Sequence, residues 1–287
     1  MGRRVLALAV LALLVAVPAS AAEPPALARA RMQYNAADFD GAIISAGLAR
    51  RTPEAVDAAT LVLARAHLER FRRNADPSDL TTAREALATV RPAALTPRDQ
   101  VDLLVGLGQS LFFADTFGAA AELFDTALVR GALLSPGLSG LQSGLPSGLP
   151  SGLPQRDRLL LLDWWASAVD REAQSRPAEG RAALYARIVE RMGNVLRDDP
   201  GSAPANYWRA VAARGSGDPE SAWDAAVAAW VRSNLSPASS ATLRGDLDRL
   251  VTEAVIPERA RLRPLREQPD ALVSMRAEWE LLKQQWK

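Results

Sequence analysis

Cysteine is absent from this 287-residue chain, histidine occurs once, and there are only three tyrosines and six phenylalanines. Without cysteine there is no disulfide, no thiolate metal site, no cysteine nucleophile and no lipid anchor through an N-terminal cysteine. A single histidine, His67, excludes any site that needs two imidazoles, the HExxH zinc pattern among them. Charge of one sign is also missing. The formal net charge is +1, which gives no general electrostatic case for nucleic acid or anionic lipid. No phosphate-binding P-loop, no full Gly-x-Gly-x-x-Gly fingerprint and no Gly-x-Ser-x-Gly elbow after a strand occurs. Strand-like alternation of apolar and polar residues is nearly absent. The abundance of Ala and of Arg over Lys fits a GC-rich bacterial genome before it fits a functional demand.

What is present begins with a tripartite N-terminal segment. Arg3 and Arg4 precede an apolar stretch, Val5 to Val17; Pro18 then breaks the helix, and Ala19-Ser20-Ala21-Ala22 offers small residues at a signal-peptidase spacing. A membrane span needs ~20 apolar residues, so residues 1–22 read as a cleaved signal peptide, with an uncleaved anchor as the competing reading. Losing a leader with two arginines takes the formal charge from +1 to −1. No second apolar run of spanning length follows. The expectation is an exported protein, periplasmic in a Gram-negative cell, with no stable membrane span once the leader is gone.

With 48% hydrophobic and 23% charged residues, the remainder has ample material for a core. Almost every long segment reads as amphipathic helix of period 3.6, and the helices come in similar pairs. In one pair Leu104 to Leu111 supplies the first helix, Asp115-Thr116-Phe117-Gly118-Ala119-Ala120 the turn and the start of the second, and Ala120, Phe124 and Ala127 its inner face. Another has Ala30, then Ala37-Asp38-Phe39-Asp40-Gly41-Ala42-Ile43, then Ala46, Ala49 and Pro53. A late pair has Ala210, then Gly217-Asp218-Pro219-Glu220-Ser221-Ala222, then Ala226, Ala229 and Pro237. Two looser pairs, Leu63–Phe71 with Ala83–Val90 and Leu159–Ala173 with Gly180–Leu196, depart from this spacing.

These pairs resemble the tetratricopeptide (TPR) family, whose repeat of ~34 residues is a helix–turn–helix with small residues where the helices touch. The resemblance covers roughly residues 24–130 and 157–237. It implies an all-α fold: a right-handed TPR-like solenoid of helical hairpins with a C-terminal capping helix. The expected divisions are a signal peptide (1–22), an N-terminal lobe (23–132), a flexible Ser-Gly-Leu-Pro-rich loop (133–157), a C-terminal lobe (158–237) and capping helices (238–287). In that loop three copies of Ser-Gly-Leu-Pro end at Pro154; Gly and Pro so interleaved cannot hold a helix. The stretch reads as a tandem duplication in a surface loop, the alternative being a docking element using its leucines. Past Pro237, Ala238 to Ala254 reads as a helix interrupted by Ile256 to Arg261. A last helix starts near Pro269-Asp270, and its stripe of Leu272, Met275, Trp279, Leu282 and Trp286 reads as a cap on the open end of the stack, or else as a docking stripe for a partner or membrane surface.

In TPR proteins the first helix of each pair lines a concave groove. Carried over by resemblance, the groove candidates are Arg31, Tyr34 and Asn35 in the first pair and Arg65, Leu68 and Glu69 in the second. Gln109, Phe112 and Phe113 follow in the third and Tyr207, Val211 and Arg214 in the late pair, with Phe112 and Phe113 equally readable as packing residues. Amides, guanidinium groups and aromatic rings together suit capture of an extended peptide. His67 reads as a helix–helix contact, and Asp198-Asp199, Asp246 and Asp248 as solvated surface, not as catalytic acids. The basic run Arg259, Arg261, Arg263 and Arg266 reads as solvated, or as able to hold phosphate or an acidic partner. The expected protein is a scaffold binding a protein or peptide partner, not an enzyme, without cofactor or metal. Two alternatives are a small-ligand accessory of an envelope transport system, with a pocket near Trp164, Trp165 and Trp208, and the structural part of a solenoid enzyme. Partner identity and oligomeric state are not legible.

Overall fold

The computed structural model describes residues 23–134, 153–235 and 240–286. The expected signal peptide lies outside the described residues, as do positions 135–152 of the Ser-Gly-Leu-Pro segment. The described residues are helical, without a strand.

Helices α1 (Pro25–Asn35), α2 (Phe39–Ala49), α3 (Val56–Asn74), α4 (Pro77–Thr89), α5 (Pro97–Phe112) and α6 (Phe117–Leu133) precede the Ser-Gly-Leu-Pro segment. After it come α7 (Gln155–Ser175), α8 (Ala178–Asp198), α9 (Ala203–Gly215), α10 (Pro219–Arg232), α11 (Ser240–Leu250), α12 (Ile256–Arg261) and α13 (Gln268–Gln285). Neighbours in sequence pack as neighbours in space, and the odd-numbered helices α1, α3, α5, α7 and α9 also touch one another in series.

The starts of the helices are written in the sequence. Asp38, Asp76, Thr96, Ser202 and Asp218 each accept a backbone N–H from the first turn of the helix they precede, which satisfies donors that a helix start leaves open. Proline follows at the first turn of α4, α5, α9 and α10, where its missing N–H costs nothing. The hairpin turns repeat one geometry. A left-handed residue, Ala37, Ala75, Asp115 or Gly217, stands directly before the capping residue of α2, α4, α6 or α10. In three of these turns the next residue's N–H returns to a carbonyl five residues back: Asp38 to Gln33, Thr116 to Leu111 and Asp218 to Ala213, at 2.9–3.0 Å. These are Schellman closures. The α7–α8 connection departs from the pattern and passes through extended Arg176 and Pro177.

Small residues set the spacing between paired helices. Ala30, Ala46, Ala64, Ala120, Ala127, Ala210 and Ala226 are all fully buried. At Gly108 of α5 an added Cβ would come 2.5 Å from the Phe124 ring of α6, so only glycine permits that approach. The largest core cluster joins Val101, Phe124 and Leu128 to Trp165, Ile188, Met192 and Trp208. Residues on both sides of the Ser-Gly-Leu-Pro segment therefore share one core.

At the C-terminal end the interruption expected at Ile256–Arg261 is not a break. A π-turn at Val251–Val255 carries α11 directly into α12, and this wider turn stands where Pro257, without an N–H and with its ring against the preceding turn, would disrupt a regular α-helix. The stripe of α13 faces inward: Trp279 is fully buried and Met275 nearly so, against Trp223, Trp230, Leu247 and Ile256. Trp279 donates its indole N–H to Asp248 at 2.8 Å, and Lys283 pairs with the same carboxylate. Asp248, expected to be solvated surface, is thus the polar tie that holds α13. Trp286, the last of the stripe, stays partly exposed.

Candidate functional site

Four odd-numbered helices converge on a cleft of about 520 Å³. Each contributes one helical face, at the i, i+3/i+4, i+7 spacing that aligns side chains along a helix. Arg31, Tyr34 and Asn35 come from α1; Leu61, Arg65, Glu69 and Arg72 from α3; Arg98, Asp102, Val105 and Gln109 from α5; Asp157, Leu160, Leu161 and Trp164 from α7.

Ion pairs tie these helices together. Arg31 reaches from α1 to the buried Asp99 of α5 through both terminal nitrogens, at 2.9 and 3.1 Å. Asp99 is held in turn by Thr96, whose hydroxyl donates to it at 2.8 Å. Arg65 pairs with Asp102 at 2.9 Å and lies over the Tyr34 ring, 4.8 Å from its centre, a cation–π contact strengthened by partial burial. Arg98 bridges Asp102 and, at 2.7 Å, Asp157, fastening α5 to α7. Glu69, also buried, accepts from Arg72 at 2.8 Å and from the Gln109 amide at 3.0 Å.

The walls perturb their own groups. Burial pushes Tyr34 up to about 12, against the opposing pull of Arg65. Burial alone would lower Arg65, but Asp102, with Tyr34 and Glu69 beside it, outweighs that and holds the guanidinium above its ordinary value. Arg31 is likewise raised: burial opposes its charge, and the hydrogen bond it donates to Asp99, with that acid's charge, prevails. Every carboxylate in the cleft is engaged by arginine. Three buried polar atoms of the lining residues, Arg31 Nε, Arg65 Nε and Gln109 Oε1, make no hydrogen bond within the protein, and of these Arg31 Nε has the Glu23 carboxylate at 2.8 Å. The amide of Gln109 cannot be turned to pair its oxygen instead, because that would set Oε1 against the Glu69 carboxylate.

Arg31, Tyr34, Asn35, Arg65, Glu69 and Gln109, expected in a groove, all line this cleft. The other six candidates sit elsewhere. Leu68 is fully buried in the α3–α4 core; one residue before Glu69, it is turned about 100° away, which points it at α4. Phe112 and Phe113 stack edge-on with Phe71, Phe117 and Trp164 at 5.0–6.0 Å between ring centres, closing the end of α5 as packing. Tyr207 packs against Trp208 and bridges two core clusters, and Val211 lies against the main core. Arg214 pairs with Glu258 at 2.9 Å, in a different cavity. The acids and arginines of α5 and α7 were missed by sequence reasoning. Their signal was the stripe Arg98, Asp102, Val105, Gln109, which follows a three-and-four-residue helical-face periodicity, as do Leu61, Arg65, Glu69 and Arg72 on α3.

His67 is a packing residue: its Nδ1 lies 2.6 Å from Asp79, whose carboxylate also takes the Arg70 fork. Trp165 is fully buried, and the space beside Trp208 measures about 10 Å³, at the limit for one water. Among the described residues no cluster of three or more metal-ligating side chains occurs, and no helix is long and apolar enough to cross a membrane. Comparison of the chain with protein-family models, with curated proteins and with solved structures found no match.

Proposed function

We propose that this protein is an exported binding scaffold of TPR-like plan, which holds an extended segment of a peptide or protein partner in the cleft formed by α1, α3, α5 and α7. The observation that carries the reading is the composition of that cleft. Four helical faces meet there with ring and aliphatic surface at Tyr34, Leu160 and Trp164, and with amide and guanidinium groups at Asn35, Gln109 and Arg65. Gln109 Oε1 and Arg65 Nε, buried just beneath this lining, stay unmatched within the protein, and leaving such groups unpaired costs roughly 1–3 kcal/mol each, which a side-chain shift towards a partner's backbone N–H or C=O would relieve.

The TPR-like plan is supported by the recurrent Schellman turn and by the serial contacts of the odd-numbered helices. Export rests on the leader pattern of residues 1–22. For a small-ligand role built on the tryptophans, Trp165 and Trp208 enclose no space of ligand size, and Trp164 lines the α1–α7 cleft itself.

The test is partner recovery from envelope extracts by the wild-type chain and by the Asn35→Ala/Gln109→Leu double variant. Leucine keeps the volume of Gln109 and removes its unmatched oxygen together with its hydrogen bond to Glu69, which keeps Arg72, so the fold is expected to persist by circular dichroism while partner recovery falls about tenfold. Equal recovery by the folded variant contradicts the assignment of the cleft.

A further inference from the structure

A second cavity, of about 630 Å³, opens where the turn between α9 and α10 meets α8 and α12. Its size is that of a small-molecule pocket. Three guanidinium groups from three different helices line it, those of Arg181, Arg214 and Arg261, against one carboxylate, Glu258. Arg214 neutralises Glu258 at 2.9 Å. Among the described residues no carboxylate lies within ion-pairing distance of Arg181 or Arg261. Arg181 gives one terminal nitrogen to the Arg176 carbonyl at 3.2 Å, while its buried Nε has no partner within the protein.

The floor of the cavity is fixed. Tyr185 is almost wholly buried and donates its hydroxyl to Asp170 at 3.0 Å, which turns that acid toward the tyrosine. An added Cβ at Gly215 would come 2.1 Å from the Tyr185 ring, so the α9 backbone lies directly on it. Gly217, at φ +82, has open space where a side chain would be, and the cavity stays unobstructed on that side. Two unneutralised guanidinium groups that face one space repel each other, and the arrangement is relieved by a multivalent anion that both can fork.

We infer that this cavity is a binding site for a small phosphate-bearing molecule, held by Arg181 and Arg261 and opposed by Glu258. The site is separate from the α1–α7 cleft and does not rest on a peptide being bound there. Sequence reading reaches Arg261, as one of a basic run able to hold phosphate, and Arg214, as a groove candidate, but not Arg181; Arg181 and Arg214 lie 80 and 47 positions before Arg261 and meet it only in the fold.

The experiment is a phosphorus NMR titration of the full chain with glycerol phosphate, alongside inorganic phosphate. Glycerol phosphate is expected to bind, more weakly as salt rises. Arg261→Gln, at an exposed side chain, is expected to weaken binding about tenfold, the loss of one charge-assisted hydrogen bond. Glu258→Gln releases Arg214 and is expected to tighten binding about tenfold, an outcome that a damaged fold would not produce. Binding unchanged in both variants, or no binding to the wild type, overturns the assignment. Sedimentation with phosphatidylglycerol vesicles separates the source of the phosphate: capture by vesicles without binding of free glycerol phosphate overturns a small-molecule site in favour of a lipid headgroup.

Discussion

Each of the three tyrosines stands where its ring is walled in, with acids nearby. Burial raises Tyr34 to about 12 against the pull of Arg65. Burial and then Asp170 raise Tyr185 to about 12. Burial, then Asp246, Asp163 and Asp170, bring Tyr207 to about 12. A folded-state pKa above the unfolded value near 10 means that the folded chain holds these protons more tightly. Their contribution to stability is complete below about pH 10 and is lost as pH rises from about 10 towards 12. Tyrosinate absorbance near 295 nm is therefore expected to be missing from the native protein at pH 10.5, while the urea-unfolded chain is more than half ionised. A native titration centred at pH 10 would contradict the enclosure of these rings.

At the scale of elements the recurrent hairpin turn is the feature with the most direct consequence. Three of its four left-handed positions carry Ala37, Ala75 and Asp115 where Gly217 carries glycine. A Cβ in that conformation costs roughly 1–2 kcal/mol, and the freedom glycine loses on folding returns roughly 0.5–1 kcal/mol of it. Ala75, exposed and in no core cluster, isolates the effect. Ala75→Gly is expected to stabilise by roughly 0.5–1 kcal/mol in urea unfolding, and Ala75→Val to destabilise. The same sign for both would contradict the turn.

Some turns and caps were legible in the sequence because they are local. Asp38 and Asp218 announce a cap and Gly217 a left-handed residue, whereas Ala37 gives no sign of its left-handed backbone and Thr116 makes no side-chain cap. The cleft was legible only in part. Arg31, Tyr34, Asn35, Arg65, Glu69 and Gln109 follow from knowing which helix of each pair faces inward. Leu68 and the Phe112-Phe113 pair do not follow, because one residue along a helix turns a side chain by about 100°. Asp157 was missed, and Trp164 was placed with Trp165 and Trp208 and not with α1, α3 and α5, because the register of α7 depends on its long-range fit to α5, through Arg98. The π-turn at Val251–Val255 has no local mark beyond Pro257, which reads as a break.

At the scale of the whole molecule, α13 covers the apolar surface that α10, α11 and α12 share. Trp279 is fully buried among Trp223, Trp230 and Leu247. Trp279→Ala is expected to cost about 3–5 kcal/mol, with the loss seen throughout the α9–α13 core by hydrogen exchange. A cost below about 1 kcal/mol would mean that α13 does not close the fold and that its stripe serves another purpose.

The central claim, that the α1–α7 cleft holds a partner, is tested most directly by site-specific photo-crosslinking in intact cells. One crosslinker replaces Asn35, exposed at the cleft, and another replaces Ile44, exposed on α2 and absent from the cleft lining. The account predicts a discrete crosslinked partner from position 35, none from position 44, and loss of the product when Gln109→Leu is added. The same product from both positions, or a product at position 35 that survives Gln109→Leu undiminished, would contradict it.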